Sequence, residues 1–386
     1  MNPIKPTGTP LSSSRADQKN LIRLFLCGDV MTGRAIDQVL PHPGNPMLHE
    51  PYVHDAHAYV KLAERVNGPI PRPVDNDYIW GDMLSGLAGS GTDLRIVNLE
   101  TSITSSNDHW PDKAIHYRMH PLNVGCITAA RIDCCCLANN HVLDWGYDGL
   151  AETLRTLTTA GVACAGARRN AAKAASPVLL DIAGKGRVLV FSFGSTTSGI
   201  PSQWAATKDR PGINLLKDLS EDTARAVATH MRGFRRSRDV TIASIHWGEN
   251  WGYDIPDEQI CFAHLLIEGG VDIVYAHSSH HVKTIETYRN RLILYGCGDF
   301  LNDYEGIGGY EAFRSDLSLM YLATLDPTDG RLLEGRLVPM QVKRFRLNRA
   351  LARDAQWLCS LLNRLGAPFG TRVQMEGDNT MSLVLR

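Results

Sequence analysis

Short apolar runs recur along the chain, each ending in Gly, Asn, Asp, Glu or His: LIRLFLCGD, DLRIVNLE, IDCCCLANNH, RVLVFSFGS, VTIASIHWGE, VDIVYAHSSHH and RLILYGCGDF. Their near-continuous hydrophobicity predicts strands covered on both faces, in a largely parallel or mixed sheet. Between them, DGLAETLRTLTTAG and PDEQICFAHLLIEGG space their apolar residues three and four apart and close on Gly, which predicts crossover helices. From Tyr52 onward, Val53, Ala56, Val60, Ala63 and Val66 also keep helical spacing. His54 and His57 are therefore assigned to the flanks of a helix, not to a second metal site with His42 and His49. After GDFLNDY the pattern changes to two strands around a Pro/Asp/Gly turn, then the helix RDAQWLCSLLNRLG and a last strand TMSLVLR. The predicted organisation is a disordered lead-in over residues 1–20, a main α/β domain over 21–305, and a small β/α extension over 306–386 packed on that domain.

Composition narrows the classes. A formal net charge of -1 gives no electrostatic reason to expect nucleic acid or an anionic membrane as partner. No segment reaches the roughly 20 apolar residues that span a bilayer. The Pro- and Ser-rich first twenty residues have no apolar stretch of the signal-peptide kind. Of nine cysteines, Cys134, Cys135 and Cys136 are consecutive in an apolar run and no C-x-x-C pair occurs, so reduced, buried thiols are expected and a thiolate zinc site is not. The expected compartment is the cytoplasm and the expected partner a small molecule or peptide; the oligomeric state is not encoded in any pattern found.

The chemistry collects where the apolar runs stop: Asp29; Asn98 and Glu100; Asn139, Asn140 and His141; His246 and Glu249; then His277, His280 and His281. Any one of these is an ordinary helix cap, turn residue or core histidine. Together they place oxygen and imidazole donors at one edge of one sheet, where open α/β folds put their sites. Such donors, without thiolate, suit Mn, Fe, Zn, Ni or Co in a catalytic site with open positions. Arg118, in HYRMHP, and Lys283 are candidate binders of an oxyanion or carboxylate. The long SFGSTTSGIPSQWAATKDRPGI stretch is a candidate substrate loop, with Trp204 and Trp247 as candidate pocket walls.

The ordered motifs GDVM, NLE, LANNH, IHWG and the late histidine cluster, with GVACAGARRNAAKAASP and LILYGCGDF, resemble the CapA/PgsA family of the capsule and poly-γ-glutamate synthesis type, within the calcineurin-like metallophosphoesterase superfamily. The resemblance runs from about residue 24 to residue 304. It implies a four-layer α/β/β/α sandwich with a metal centre at the ends of two facing sheets. By it, Asp29 matches the first ligand, Glu100 the bridging carboxylate, Asn140 and His246 ligands of a second metal, and His141 the histidine beside the scissile group. The late cluster matches the superfamily's G-H-x-H, with the places of His277 and His280 as ligands, and of His280 and His281 as proton carriers, left open. Met31 occupies the position where the superfamily has a histidine, so one tightly bound Mn, Fe or Zn ion, with a weaker second, is expected in place of a full dinuclear centre.

Two chemistries follow from that resemblance. In the first, a metal-activated water hydrolyses a phosphate ester or an amide, and His141 protonates the leaving group. In the second, the metal acidifies a Cα–H and Asp29 with His280 or His281 exchanges the proton, as in a lasso-peptide epimerase that also resembles this family. A third reading, a non-catalytic metal-stabilised binding protein for acidic-polymer synthesis, fits less well because the ligand positions are all filled.

Overall fold

The computed structural model describes residues 20–385. The disordered lead-in expected over residues 1–20 falls almost wholly outside them. Among the described residues two large sheets form. The first has ten strands, running from one edge as Val373–Met375, Met381–Leu383, Leu332–Val342, Leu317–Leu325, Ile22–Val30, Leu94–Leu99, Cys134–Cys136 and Ala163–Ala165, with Leu347–Arg349 and Asp299–Leu301 paired off this path. Ile22–Val30, Leu94–Leu99, Cys134–Cys136 and Ala163–Ala165 are mutually parallel. The second sheet has six strands, in the order Ile285–Tyr288, Arg291–Leu294, Ile273–His277, Asp239–His246, Gly186–Gly194 and Val178–Ile182, parallel except at its two edges.

Alternation along each strand divides the apolar residues among three clusters. Ile22, Leu24 and Leu26 of the first sheet share one cluster with Val188, Val190, Ile242 and Ile273 of the second. Phe25 and Val97 face the other way, against Tyr59 and Val60 of helix His57–Asn67 and Leu150 and Leu157 of helix Gly146–Thr159. Leu189, Phe191 and Ile245 meet Ala224 and Met231 of helix Glu221–Arg232 and Phe262 and Leu266 of helix Asp257–Glu268. The cysteine triplet obeys the same rule: Cys134 and Cys136 lie in the shared cluster and Cys135 on the helical side, all three buried and free.

The C-terminal segment enters the first sheet in the middle. Leu317–Leu325 pairs antiparallel with Ile22–Val30, from Ile22 opposite Leu325 to Cys27 opposite Met320. Leu358 and Leu362 of helix Ala352–Gly366 join the cluster shared by both sheets.

Of the four N-terminal histidines, His57 opens its helix and pairs with Asp55 at 2.8 Å, whereas His49 goes elsewhere. It stacks on His109 with centroids 3.7 Å apart and lies 6.0 Å from the rings of His116 and Trp145.

Candidate metal centre

The parallel strands of both sheets end at one place, and backbone geometry there is specialised. Gly28 precedes Asp29, and a side chain at Gly28 would meet the Gly298 carbonyl oxygen at 1.7 Å. Only glycine permits this approach, which lets the Asp29 amide donate to that carbonyl at 2.9 Å and sets Asp29 opposite Asp299. Ser278, directly after His277, has φ of +106°, a conformation uncommon for a residue with a side chain. The turn directs the Ser278 amide onto Asp29 Oδ2 at 3.0 Å.

Asp29, His246 and His277 each offer a ligand atom, and these atoms lie within 4.8 Å of one another, all buried. His277 Nδ1 is 3.6 Å from Asp29 Oδ1 and 2.8 Å from His246 Nδ1. His246 Nε2 faces Asn140 Oδ1 at 3.0 Å and Glu100 Oε1 at 3.8 Å. His141 Nε2 approaches the same Glu100 oxygen at 3.7 Å. Asn98 braces the group, donating to Asp29 Oδ1 at 2.7 Å and accepting from Asn139 at 3.0 Å. His280 stands beside this cluster through Asp299, 3.0 Å from its Nδ1.

Electrostatics at the cluster call for a cation. Burial, then the neighbouring Asp299 carboxylate, push Asp29 up to about 7. Burial and then Asp29 raise Glu100 well above the carboxylate range, and Glu100 Oε2 is buried with no hydrogen-bond partner. The ion pairs of Asp29, Glu100 and Asp299 among the described residues are all with histidines. Burial holds three of those histidines neutral: His277 is pulled down to about 3, His141 to about 4, and His246 well below its usual value. At His280 burial acts the same way, but Asp299 outweighs it and the net shift is upward. An uncompensated carboxylate group beside oxygen and imidazole donors fits a divalent ion: Asp29, His246 and His277 are the residues that would hold it, with Glu100 and Asn140 at the other ring nitrogen of His246 as further donors.

Other expected site residues are held by other partners. Arg118 spends its guanidinium on the carbonyls of Ser106 and Asn45 and the Asn107 amide, 3.8 Å over the Trp145 ring. Lys283 points at the Asp254 carbonyl at 3.4 Å. Trp247 donates to the Tyr295 carbonyl at 3.2 Å and packs with Phe262 on the helical side of the second sheet. Among the described residues no side-chain hydrogen bond or ion pair joins these three to the cluster, and only the backbone amide of Trp247 reaches it, donating to the His277 carbonyl at 3.2 Å. His281 sits in an aromatic surround, 4.7 Å from the rings of both Phe313 and Tyr253. Trp204 is buried 5.4 Å from Trp110, with Lys113 5.8 Å from its ring.

Three residues stand at the site that strand-end reading passed over. Asp144 accepts from His141 Nδ1, from Lys113 and from the Tyr117 amide, each at 2.6 Å. Lys113 Nζ is also 3.0 Å from His141 Nδ1. Asp299 holds His280 on one oxygen and Asn302 on the other. Asp144 had a signal in its position three residues after His141; Asp299 lay inside GCGDF; Lys113 had none.

A family model described as bacterial capsule synthesis protein PGA_cap matches residues 23–304, which include Asp29, Glu100, Asn140, His141, His246, His277 and Asp299. The chain belongs to that family. The PGA_cap resemblance extends to curated relatives: a probable polyglutamine synthesis accessory protein of Mycobacterium tuberculosis is 46% identical over 370 residues, covering 96% of this chain and 97% of the relative. The capsule biosynthesis protein CapA of Bacillus anthracis is 23% identical over 283 residues, 73% of this chain and 60% of that protein. The PGA biosynthesis protein CapA of Bacillus subtilis is 24% identical over 296 residues, 76% and 66%. Among the described residues no helix is long and apolar enough to cross a membrane.

Proposed function

We propose that this PGA_cap member is a metal-dependent hydrolase of phosphate esters or amides, with a four-layer α/β/β/α arrangement of the metallophosphoesterase kind. The layering is supported by the three apolar clusters, one drawing on both sheets and two on a sheet with its helices. The observation that carries the function is the convergence of Asp29, His246 and His277 beside a Glu100 carboxylate with an unpartnered oxygen. A divalent ion bound there supplies Lewis acidity and acidifies a water near neutral pH.

The chain's own residues would do the rest. Asp144 fixes the His141 Nδ1 proton, which leaves Nε2 turned toward Glu100 and the reacting group. In the neutral ring Nε2 is the accepting nitrogen, placed to take a proton from the attacking water and then pass it to a leaving oxygen or nitrogen. Lys113 neutralises Asp144, so the dyad enters the buried site without adding charge. Asn98 and the Ser278 amide hold Asp29 in place.

A second reading, proton exchange at a Cα, rests on the presence of two carboxylate-backed histidines, His141 on Asp144 and His280 on Asp299. Solvent deuterium separates the two: cleavage without label at Cα supports hydrolysis, and label without cleavage supports exchange. The relatives' names in polyglutamine and capsule synthesis supply the biological setting for either reading, as accessory chemistry around an acidic polymer. Elemental analysis of protein purified without chelator tests the metal centre itself. We expect at least one Mn, Fe or Zn per chain, lost on Glu100→Ala; less than a few tenths of an ion, with no gain on adding Mn or Zn, would overturn the proposal.

A further inference from the structure

A cleft of about 530 Å³ opens beside the candidate metal centre, with His280, Asn302 and Tyr304 on its wall. This inference rests on the metal-site reading only in so far as His280 joins the two. One side of the cleft is aromatic: Trp251 and Tyr310 lie parallel, with centroids 3.9 Å apart and planes 1° off, and Trp251 continues toward His281 at 6.0 Å. Tyr310 is 48% exposed, and Val66 and Ile307 at the same cleft are 61% and 45% exposed. Apolar side chains left in solvent around a concave site mark a place where apolar ligand surface is covered.

The charges of the lining select further. Its carboxylates Glu305, Glu311 and Asp316 outnumber its cations Arg314 and Lys343. Glu305 accepts from the amides of Arg344 and Phe345, and Glu311 from that of Gly309. Arg314 is bound to Asp316 and Asp354. Among the described residues Lys343 has no ion-pair partner, so it is the cation of the lining left for a ligand. One free ammonium amid fixed carboxylates attracts a single anionic group and repels a chain that carries many.

We propose that the cleft takes a small monoanion with a planar apolar body, its ring against Tyr310 and its carboxylate on Lys343, and that it disfavours polyanionic chains. The test is calorimetric titration of the full chain with N-acetyl-L-phenylalanine, its carboxyl amide, and a γ-linked glutamate pentamer, with metal content measured on every sample. The acid should bind about tenfold tighter than the amide. Tyr310→Ala should weaken both about tenfold, and Lys343→Met should bring the acid down to the level of the amide without changing the amide. Both side chains are at the surface of the cleft, so neither variant should alter metal content. Tighter binding of the pentamer than of the aromatic acid, no binding of the acid, or indifference to both variants would overturn the proposal. Loss of metal with aromatic-acid binding intact would instead count against the metal centre and leave the cleft reading standing.

Discussion

Asp29→Asn should change sign in its effect on stability when metal is removed. In the metal-free chain Asp29 is buried beside Asp299 and holds its proton up to about pH 7, against an ordinary value of 3.8. Its folded pKa is raised, so the unfolded chain gives up the proton first. Stability is therefore lost as pH rises from about 4 to about 7 and stays lost above. Three pH units correspond to about 4 kcal/mol as a ceiling, at roughly 1.4 kcal/mol per unit. Asparagine removes that penalty but cannot accept on both sides: Asn98 donates to one oxygen at 2.7 Å and the Ser278 amide to the other at 3.0 Å. One mismatched contact costs about 1–2 kcal/mol. With chelator present, Asp29→Asn should therefore stabilise the chain by about 2 kcal/mol at pH 8 and destabilise it by about 1–2 kcal/mol at pH 4. With metal bound, the variant should be the weaker protein at pH 8, because a ligand has gone. Urea unfolding followed by tryptophan fluorescence, at both pH values and with and without chelator, reads all of this. A variant less stable than the parent in chelator at pH 8 would refute the view that the carboxylates lack a compensating cation.

Asp144→Asn should leave metal content unchanged while lowering turnover of a reporter ester or amide by roughly a hundredfold or more, since the His141 proton is no longer fixed on Nδ1; equal loss of metal would mean a structural role. Arg34 is buried between Asp303 at 2.7 Å and Glu50 at 3.0 Å, with the Tyr59 ring 3.9 Å from its guanidinium. Arg34→Met strands both carboxylates and should cost about 3–5 kcal/mol in urea unfolding, whereas a loss under 1 kcal/mol would show that water reaches them. Eight of the nine cysteines are buried and Cys261 is partly exposed, so a thiol reagent should titrate about one fast thiol in the native protein and nine in denaturant; several fast thiols in the native protein would contradict the packing of the triplet.

Much of the site was legible because a buried parallel strand leaves a simple record: an apolar run, then a polar residue where the chain comes out. Asp29, His246 and His277 each end or nearly end such a run, and the two sheets bring those ends together. Asp144 and Lys113 were hidden because they act from a helix approach and a loop, positions that hydrophobic period does not mark. Arg118 shows the limit of reasoning from residue type: a guanidinium suits an oxyanion, yet it also suits carbonyls and an indole face, and its partners in the fold are of the second kind. His49 shows the same limit, since its stacking on His109 joins segments that no local pattern relates. The C-terminal strands were recognisable as strands; their place in the middle of the first sheet was not, because pairing partners far apart in sequence leave no trace in either one.

That placement has a kinetic meaning. Strand Ile22–Val30, which carries Asp29, is among the first parts of the domain to be synthesised, and its neighbour Leu317–Leu325 among the last. Until the later strand arrives, the earlier one has an open edge from Ile22 to Cys27, while Asp29 at its end is held by Asn98, the Ser278 amide and the Gly298 carbonyl. A nascent chain cut at the end of the family match would expose a long apolar edge ready to pair with another copy. The partners that hold Asp29 all precede that strand in the chain, so acquisition of the ion need not wait for the last folding step.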